Sequence, residues 1–275
     1  MKSIISEFVS VFQNEGPKGL FDRLSKRFRY GVAAVRGKYS LRIGGHSITF
    51  SAPNSTMVRR NVERFHWEQA ELKDFVSEIE TNDIVYDIGA NTGLYTLFAA
   101  KKCHKGEVIA FEPYPPNVQL LKKDIERNSL TNVTVIEKAL SNSVGSIEFS
   151  QPTVADVGYG SSSIQAEKSD STIDVPTTTG DQLISSTRAP QPNVVKIDVE
   201  GAEPLVIEGL ADALSQQECR IVYCEVHLPG VSHRPSIEDF STTVSDIRER
   251  FEGFGFTVEN LHTRGETELF LKAYR

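Results

Sequence analysis

The sequence predicts a doubly wound α/β fold, a mostly parallel sheet with helices on both faces. Three observations point there. Residues 84–112 read as strand, tight turn, helix and strand. Three later apolar runs of strand length, within 133–140, 194–199 and 220–226, each follow a helical stretch. Four strand ends carry acids, and open α/β sheets bind ligands at the carboxyl ends of their strands.

In the first unit an apolar run ends at Asp87, and Gly89, Ala90, Asn91, Thr92 and Gly93 form the turn. Leu94, Leu97, Phe98 and Cys103 follow near helical spacing, Gly106 stops the helix, and Val108–Phe111 leads to Glu112. Gly89 and Gly93 remove side chains where a ligand approaches the backbone. Glu112, nineteen positions beyond Gly93, suits both hydroxyls of a ribose, as an acid about 20 residues after such glycines does. The turn lacks the dinucleotide pattern G-x-G-x-x-G, because Asn91 stands where a middle glycine would be. With Asp87 before the first glycine, a cationic cofactor fits better than a pyrophosphate. S-adenosylmethionine carries an ammonium and a sulfonium and meets that description. A βαβ turn without any ligand is the competing explanation.

The chain has 275 residues and a net charge of −7, enough to bury a full core as one domain with an extension. Charge is uneven: residues 1–60 balance to +8 and the remainder to −15. No nucleic-acid partner is expected. Cys103, Cys219 and Cys224 lie in or beside apolar runs without metal-type spacing, which suits reduced core thiols in a reducing, cytoplasmic setting. No apolar run approaches the length of about 20 residues that spans a bilayer.

Ile4, Phe8 and Phe12 stripe a short helix over 3–13, and Gly16-Pro17 breaks it. Leu20, Phe21, Leu24 and Phe28 give a second stripe flanked by Arg23, Lys26, Arg27 and Arg29. Such a basic amphipathic helix either lies on a membrane surface or packs on the parent domain or a second subunit, so a homo-oligomer is a further expectation. Residues 39–50 predict a hairpin around Gly44-Gly45, and residues 61–79 a helix whose Phe65, Trp67 and Glu68 form core or a lid. A helix follows Pro113-Tyr114-Pro115-Pro116, and 133–140 is the third strand. Short strands are expected at 147–149 and 173–175, with the polar loop Gly158–Ser163 between them given a functional role by its length. Asp181 is expected to cap a helix over 182–186. Residues 202–214 and 237–251 read as helices, and 256–261 with 268–274 as a closing antiparallel pair.

Lys196 sits in a strand covered on both faces. An ion pair, with Glu200 as the partner, accounts for it; a proton-accepting amine or substrate anchor is the alternative. Asp198, Glu225 and His227 converge if their strands are neighbours. They then hold a divalent metal such as magnesium against an acceptor hydroxyl, or Asp198 or His227 acts as general base without metal. A structural hydrogen-bond net is the bland explanation.

Val85–Gly93, Phe111-Glu112-Pro113, Ala139-Leu140-Ser141 and the run Lys196-Ile197-Asp198-Val199-Glu200-Gly201-Ala202-Glu203 together resemble the FkbM family of methyltransferases. The resemblance covers roughly residues 60–275, and the Lys196–Glu203 run is its most specific part. It implies a Rossmann-like class I methyltransferase fold with a central seven-stranded sheet, S-adenosylmethionine as methyl donor, and usually O-methylation of a hydroxyl. Family acceptors include sugars, glycolipids and polyketides, so a small-molecule or saccharide acceptor is expected. No metal is implied. Asp87, Gly89, Ala90, Asn91, Thr92 and Gly93 are expected at the methionine end, Glu112 and Pro113 at the ribose, and Asn117 and Ala139 along the adenine. Asp198, Glu200, Glu225 and His227 face the acceptor. Residues 1–58 form a basic extension outside the resemblance, and 59–275 the methyltransferase domain. The rivals are a nicotinamide oxidoreductase and a non-catalytic nucleoside-binding protein on the same fold.

Overall fold

The computed structural model describes residues 2–150, 172–231 and 234–275. Helix α1 (Lys2–Arg36) is two helical segments joined at Gly16, whose φ of 68° and ψ of −171° are non-helical, with Pro17 directly after it. This is the break expected at Gly16-Pro17. Strands β1 (Lys38–Ile43) and β2 (His46–Ser51) form the hairpin. Both turn residues, Gly44 and Gly45, have positive φ, as a two-residue turn matched to strand twist requires.

A lone hairpin is marginal in water, and this one is fastened down. Ile48 and Phe50 are buried in a core with Leu97 and Phe98. Ser51 donates to Asp124 through its N–H (2.9 Å) and its hydroxyl (2.6 Å), and the Thr49 N–H donates to Asn128 Oδ1 at 2.9 Å.

The helix expected over 61–79 is two helices, α2 (Ser55–Trp67), capped by Asn54, and α3 (Gln69–Glu78). The bend at Glu68 lets Phe65 stack on Phe98 and Phe75 meet the edge of Tyr95. Trp67 is left 60% exposed, so Phe65 is core and Trp67 is not.

The chain then alternates as β3 (Ile84–Ile88), α4 (Leu94–Lys102), β4 (Glu107–Phe111), α5 (Pro115–Arg127) and β5 (Val133–Ile136). The expected third strand splits, for β6 (Ala139–Leu140) leaves the main sheet. It joins β7 (Gly145–Ser150) and β8 (Thr172–Thr178) in a small sheet of order β6-β8-β7. The loop Gly158–Ser163 lies outside the described residues.

Helix α6 (Gly180–Ser185) is capped by Thr179, and β9 (Val194–Ile197) follows. Residues 202–214 hold two short helices, α7 (Glu203–Glu208) and α8 (Ala211–Ser215), rather than one. Asp181 does not cap its own helix: its oxygens accept from the N–H groups of Asp212 and Ala213, at the start of α8. Thr179 already fills the nearer position. Strand β10 (Ile221–His227), a 3₁₀ turn at Ile237–Phe240, α9 (Val244–Gly253), β11 (Thr257–Arg264) and β12 (Glu268–Tyr274) complete the chain.

The seven-stranded sheet runs β5-β4-β3-β9-β10-β12-β11. The first five are parallel neighbours, and β12 pairs antiparallel with both β10 and β11. A register shift between Asn260 and His262 marks a bulge in β11. From β3 the chain builds outward to β4 and β5, then returns to place β9 on the other side. That reversal opens a crevice at the ends of β3 and β9.

Side chains alternate across the sheet. Tyr86, Ile88, Val195, Ile197, Val222 and Cys224 pack beneath α7 and α9 with Val206, Ile207, Ile247 and Phe251. Val85, Val108, Val194 and Tyr223 pack on the opposite face with Leu72, Phe75, Leu97, Phe98 and Leu121. Cys103, Cys219 and Cys224 are free thiols within these cores. Phe98 is fully buried and touches the rings of both Phe50 and Phe65. Phe98→Ala should therefore cost about 3–5 kcal/mol in a denaturant-unfolding measurement.

Candidate active site

Two consecutive backbone contacts shape the turn after β3. The N–H groups of Gly89 and Ala90 both donate to the Phe111 carbonyl, at 3.0 and 2.9 Å. Gly89, Asn91 and Gly93 all take positive φ. A Cβ on Gly89 would lie 1.8 Å from the Asp198 carbonyl oxygen, and one on Gly93 would lie 2.5 Å from the Leu121 side chain. Backbone packing thus demands glycine at 89, and the left-handed φ of 92° favours it at 93, independently of any ligand.

Asp87 is fully buried. Its Oδ2 accepts from the Thr96 hydroxyl at 2.5 Å, while its Oδ1 has no hydrogen-bond partner. Burial raises its pKa against the pull of Lys196 and Thr96. Asn91 Oδ1 is a second buried acceptor without a partner. Glu112, at the tip of β4, accepts from the Asn91 N–H (2.8 Å), the Tyr114 N–H (2.9 Å) and the Asn117 amide (3.4 Å). Burial nevertheless lifts its carboxyl to about 7, against those three donors. Its Oε1 takes two of these donors, while Oε2 takes only the Asn91 N–H and keeps a second lone pair. Pro113 flanks it, half-buried, and Thr92, Asn117 and Ala139 are buried nearby in the chain or at the start of the small sheet.

These residues fit the cofactor that the resemblance implies. Asp87 Oδ1, with only the Lys196 amine 3.9 Å away, and Asn91 Oδ1 accept no hydrogen bond, and an ammonium group supplies donors for both.

On the neighbouring strand, Lys196 Nζ lies 2.8 Å from Asp198 Oδ2 and 3.9 Å from Asp87 Oδ1, over the ring of Tyr95. Its partner is Asp198 and not Glu200, because residues two apart along extended chain share a face whereas Glu200 lies in the turn that follows. Arg64, from α2, bonds Glu68 at 2.6 Å and reaches Asp198 at 3.4 Å. Burial alone would raise the Asp198 pKa, but Lys196, Arg64 and His227 hold it far below the ordinary range.

His227 closes the site from β10. Its Nδ1 donates to Glu203 at 2.8 Å, and Glu203 also accepts the Gly201 N–H at 2.8 Å. Its Nε2 faces oxygens of Glu200 (3.5 Å), Glu225 (3.8 Å) and Asp198 (3.9 Å). Burial disfavours the imidazolium, yet Glu203, with Glu200 and Glu225, outweighs it and lifts the pKa to about 10. Burial, reinforced by Asp198, raises Glu200 to about 7 despite His227. Burial and Asp198 also keep Glu225 well above its usual range, although Arg264 lies 3.3 Å away. Glu200 is held at a φ of 54°, a left-handed conformation that costs a non-glycine residue about 1–3 kcal/mol.

Asp198, Glu200, Glu225 and His227 are therefore brought together as expected from their strand ends. Glu203 and Arg64 were not expected in the site. Glu203 closes the Lys196–Glu203 run and could have been found there, as a buried acid opening a helix. Arg64 sits on a helix remote in sequence, with no local signal. Asp198, Glu200 and His227 each offer one ligand atom within 4.8 Å of the others, as do Glu225, His227 and Glu268.

Comparison with known proteins identifies the family. The profile of the methyltransferase FkbM domain matches residues 87–258. Hexuronic acid methyltransferase AglP of Haloferax volcanii is 30% identical over 196 residues, covering 71% of this chain and 77% of that protein. Methyltransferase 1 of Beauveria bassiana is 24% identical over 182 residues, covering 59% of this chain and 73% of the relative. The crystal structure of methyltransferase FkbM from Methylobacillus flagellatus KT shares the fold with a TM-score of 0.51 at 16% identity, over 72% of this chain. This chain spans 44% of that longer protein. The fold is the Rossmann-like class I methyltransferase fold. The chain belongs to the FkbM family of S-adenosylmethionine-dependent methyltransferases, which sets aside the nicotinamide oxidoreductase.

The pKa of about 10 at His227, against 6.5 for an ordinary imidazole, has a direct consequence. The native state holds a proton there that the unfolded chain has already lost. The stability it contributes is complete below about pH 6.5 and lost as pH rises through about 10. Nuclear magnetic resonance at pH 8 should show His227 as imidazolium, and Glu203→Gln should lower its pKa by at least about 1 unit.

Proposed function

We propose that this chain transfers a methyl group from S-adenosylmethionine to a hydroxyl of a saccharide, free, lipid-linked or within a natural product, with Glu200 taking the hydroxyl proton. The observation that carries this reading is the acid cluster at the strand ends. Glu68, Asp87, Asp198, Glu200, Glu203 and Glu225 share one connected network with Arg64, Lys196, Arg264 and His227. Through Arg264 the same network takes in Glu71, Glu268 and Arg234, so eight carboxylates stand against five cations, and this excess of acid favours a cationic cofactor and a polyhydroxylated acceptor. The relative from Haloferax volcanii, named for hexuronic acid, supports a sugar as that acceptor.

When bound, S-adenosylmethionine supplies an electrophilic methyl group on a sulfonium. Asp87 and Asn91 would accept from its ammonium, with Gly89, Ala90, Thr92 and Gly93 forming the turn beside it. Glu112, with Pro113 beside it, would take the ribose hydroxyls, with Asn117 and Ala139 along the adenine. On the acceptor side, Asp198 is too firmly paired to accept a proton at neutral pH, and His227 already carries one. Glu200 titrates near neutrality, where a general base works best, and 18% of its side chain is exposed against 7% and 9% for Glu225 and Asp198. The positive His227, oriented by Glu203, offsets charge developing on the acceptor oxygen.

A divalent cation such as magnesium is a second occupant of the same cluster. It is favoured by the three carboxylate oxygens 3.5–3.9 Å from His227 Nε2, and it would require that nitrogen to give up its proton. Under the first reading, activity survives treatment with EDTA; loss that magnesium restores would transfer Asp198, Glu225 and His227 to metal ligation.

Glu200→Gln should lower kcat by about 10²–10⁴-fold, leave S-adenosylhomocysteine affinity unchanged in calorimetry, and abolish a rise in rate through about pH 7. A variant that keeps both rate and pH profile removes Glu200 from the chemistry. Glu112→Ala should weaken S-adenosylhomocysteine binding by about tenfold or more, the loss of a charge-assisted hydrogen bond.

A further inference from the structure

Beside Glu225 the acid network carries buried hydrogen-bonding groups that the protein itself does not satisfy. Glu68 stands at the bend between α2 and α3, and Glu71 lies in the first turn of α3. They are 4% and 3% exposed. Glu68 Oε1 accepts from Arg64 at 2.6 Å, but its Oε2 accepts from none of the described residues, and neither does either oxygen of Glu71.

Arg264, on the hairpin of β11 and β12, faces them. Its Nη1 donates to Glu268 at 2.8 Å and to Glu225 at 3.3 Å. Its Nε and Nη2 are buried and donate to none of the described residues. Nη2 stops 4.0 Å from Glu71 Oε1, and His262 Nε2 stops 3.6 Å from the same oxygen. Burial disfavours the Arg264 charge, but Glu225, Glu68, Glu268 and Glu71 together raise its pKa. Buried polar groups are nearly always paired. Here three acceptor atoms and two donor nitrogens are unpaired at one place, in contact with the acceptor-facing Glu225.

Chemistry narrows what pairs with them. A gap of 4.0 Å is too long for a hydrogen bond, yet one oxygen atom beside it reaches both sides at about 2.8 Å. A hydroxyl donates to Glu71 and accepts from Arg264 at the same time. An anionic group would meet the guanidinium but face four carboxylates, and an ammonium would leave both nitrogens of Arg264 unmet. The fitting ligand is thus a neutral polyol. Arg264 and His262, with side chains 28% and 47% exposed, are the members of this group that meet solvent.

We propose that Glu68, Glu71 and Arg264 form a specificity subsite for hydroxyl groups of the acceptor other than the one that is methylated. The proposal rests on the saccharide reading above and adds the residues that select among saccharides. Arg264 joins the two sites, since the same guanidinium that holds Glu225 presents its free edge to Glu71.

The test is calorimetry of the full chain loaded with S-adenosylhomocysteine, titrated with methyl glucoside, methyl glucuronide and the monodeoxy forms of each. The expected result is binding of the complete sugar, with at least one monodeoxy form bound about tenfold or more weakly, the loss of a hydrogen bond to a charged group. Glu71→Gln keeps the shape of the side chain, and Arg264→Lys keeps the charge beside Glu225 and Glu268. Both should leave S-adenosylhomocysteine affinity unchanged and erase the discrimination, binding the complete sugar as weakly as the parent chain binds the deoxy form. In methyl transfer, both should raise the acceptor KM by about tenfold or more and change kcat little, whereas Glu200→Gln should keep sugar binding and lose kcat. No binding of any of these sugars would overturn the proposal. So would methyl transfer with parent-like KM and discrimination in both variants, a result that leaves the proposed reaction standing. Discriminating sugar binding without methyl transfer would support the subsite and count against the reaction instead.

Discussion

Lys196 Nζ sits between two carboxylates at the point where strand order reverses, 2.8 Å from Asp198 and 3.9 Å from Asp87. Neither acid could lie where it does without that amine. Uncompensated charge inside a protein costs about 3–5 kcal/mol, and two bare acids on adjacent strands would also repel each other. A buried ion pair is seldom a net stabiliser compared with apolar packing of the same volume. Its use here is to keep acid at the ends of β3 and β9 while the rings around it, Tyr95 and Tyr223, stay buried. Lys196 itself remains protonated: burial works against its charge, but Asp198 and Asp87 overcome it.

From that row the rest of the site follows by contact. Asp198 extends the network to Arg64 and His227, and Glu203 fixes the His227 ring. The backbone is as constrained as the side chains. A Cβ at Gly201 would meet the Pro235 carbonyl at 2.5 Å, just as one at Gly89 would meet that of Asp198. The strand ends are thus pressed against neighbouring loops, and the left-handed Glu200 lies between two such close approaches. Rigid placement of this kind is what a displacement reaction needs, since reacting groups must be held in line within about 3–3.5 Å.

Much of this was legible from residue order. The alternation of Val195 and Ile197 with Lys196 and Asp198, and of Val222, Cys224 and Val226 with Tyr223, Glu225 and His227, places every polar member on one face of the sheet. The parallel unit at 84–112, the hairpin, the closing antiparallel pair and the break at Gly16 are read from short-range rules that the tertiary structure respects. Helix lengths were not legible. Residues 61–79 and 202–214 have continuous helical character, and only packing against Phe98 or beneath the sheet makes them bend or stop. The partners of Lys196 and Asp181 depend on strand register and on where a distant helix begins, and neither is written locally. Arg64, which lies 134 positions from Asp198, illustrates the limit: nothing in its own neighbourhood distinguishes it from Arg59 or Arg60.

The two outermost strands have a consequence of a different kind. At one border the sheet ends in β5, only four residues long, and at the other in β11, kinked by its bulge and bearing Glu259, His262 and Arg264. A long, flat, apolar border would recruit strands from other molecules. A short border and a bent, charged one both resist such addition. The flanks of the sheet are thereby guarded against fibre-like self-association, leaving the chain free to work at high local concentration.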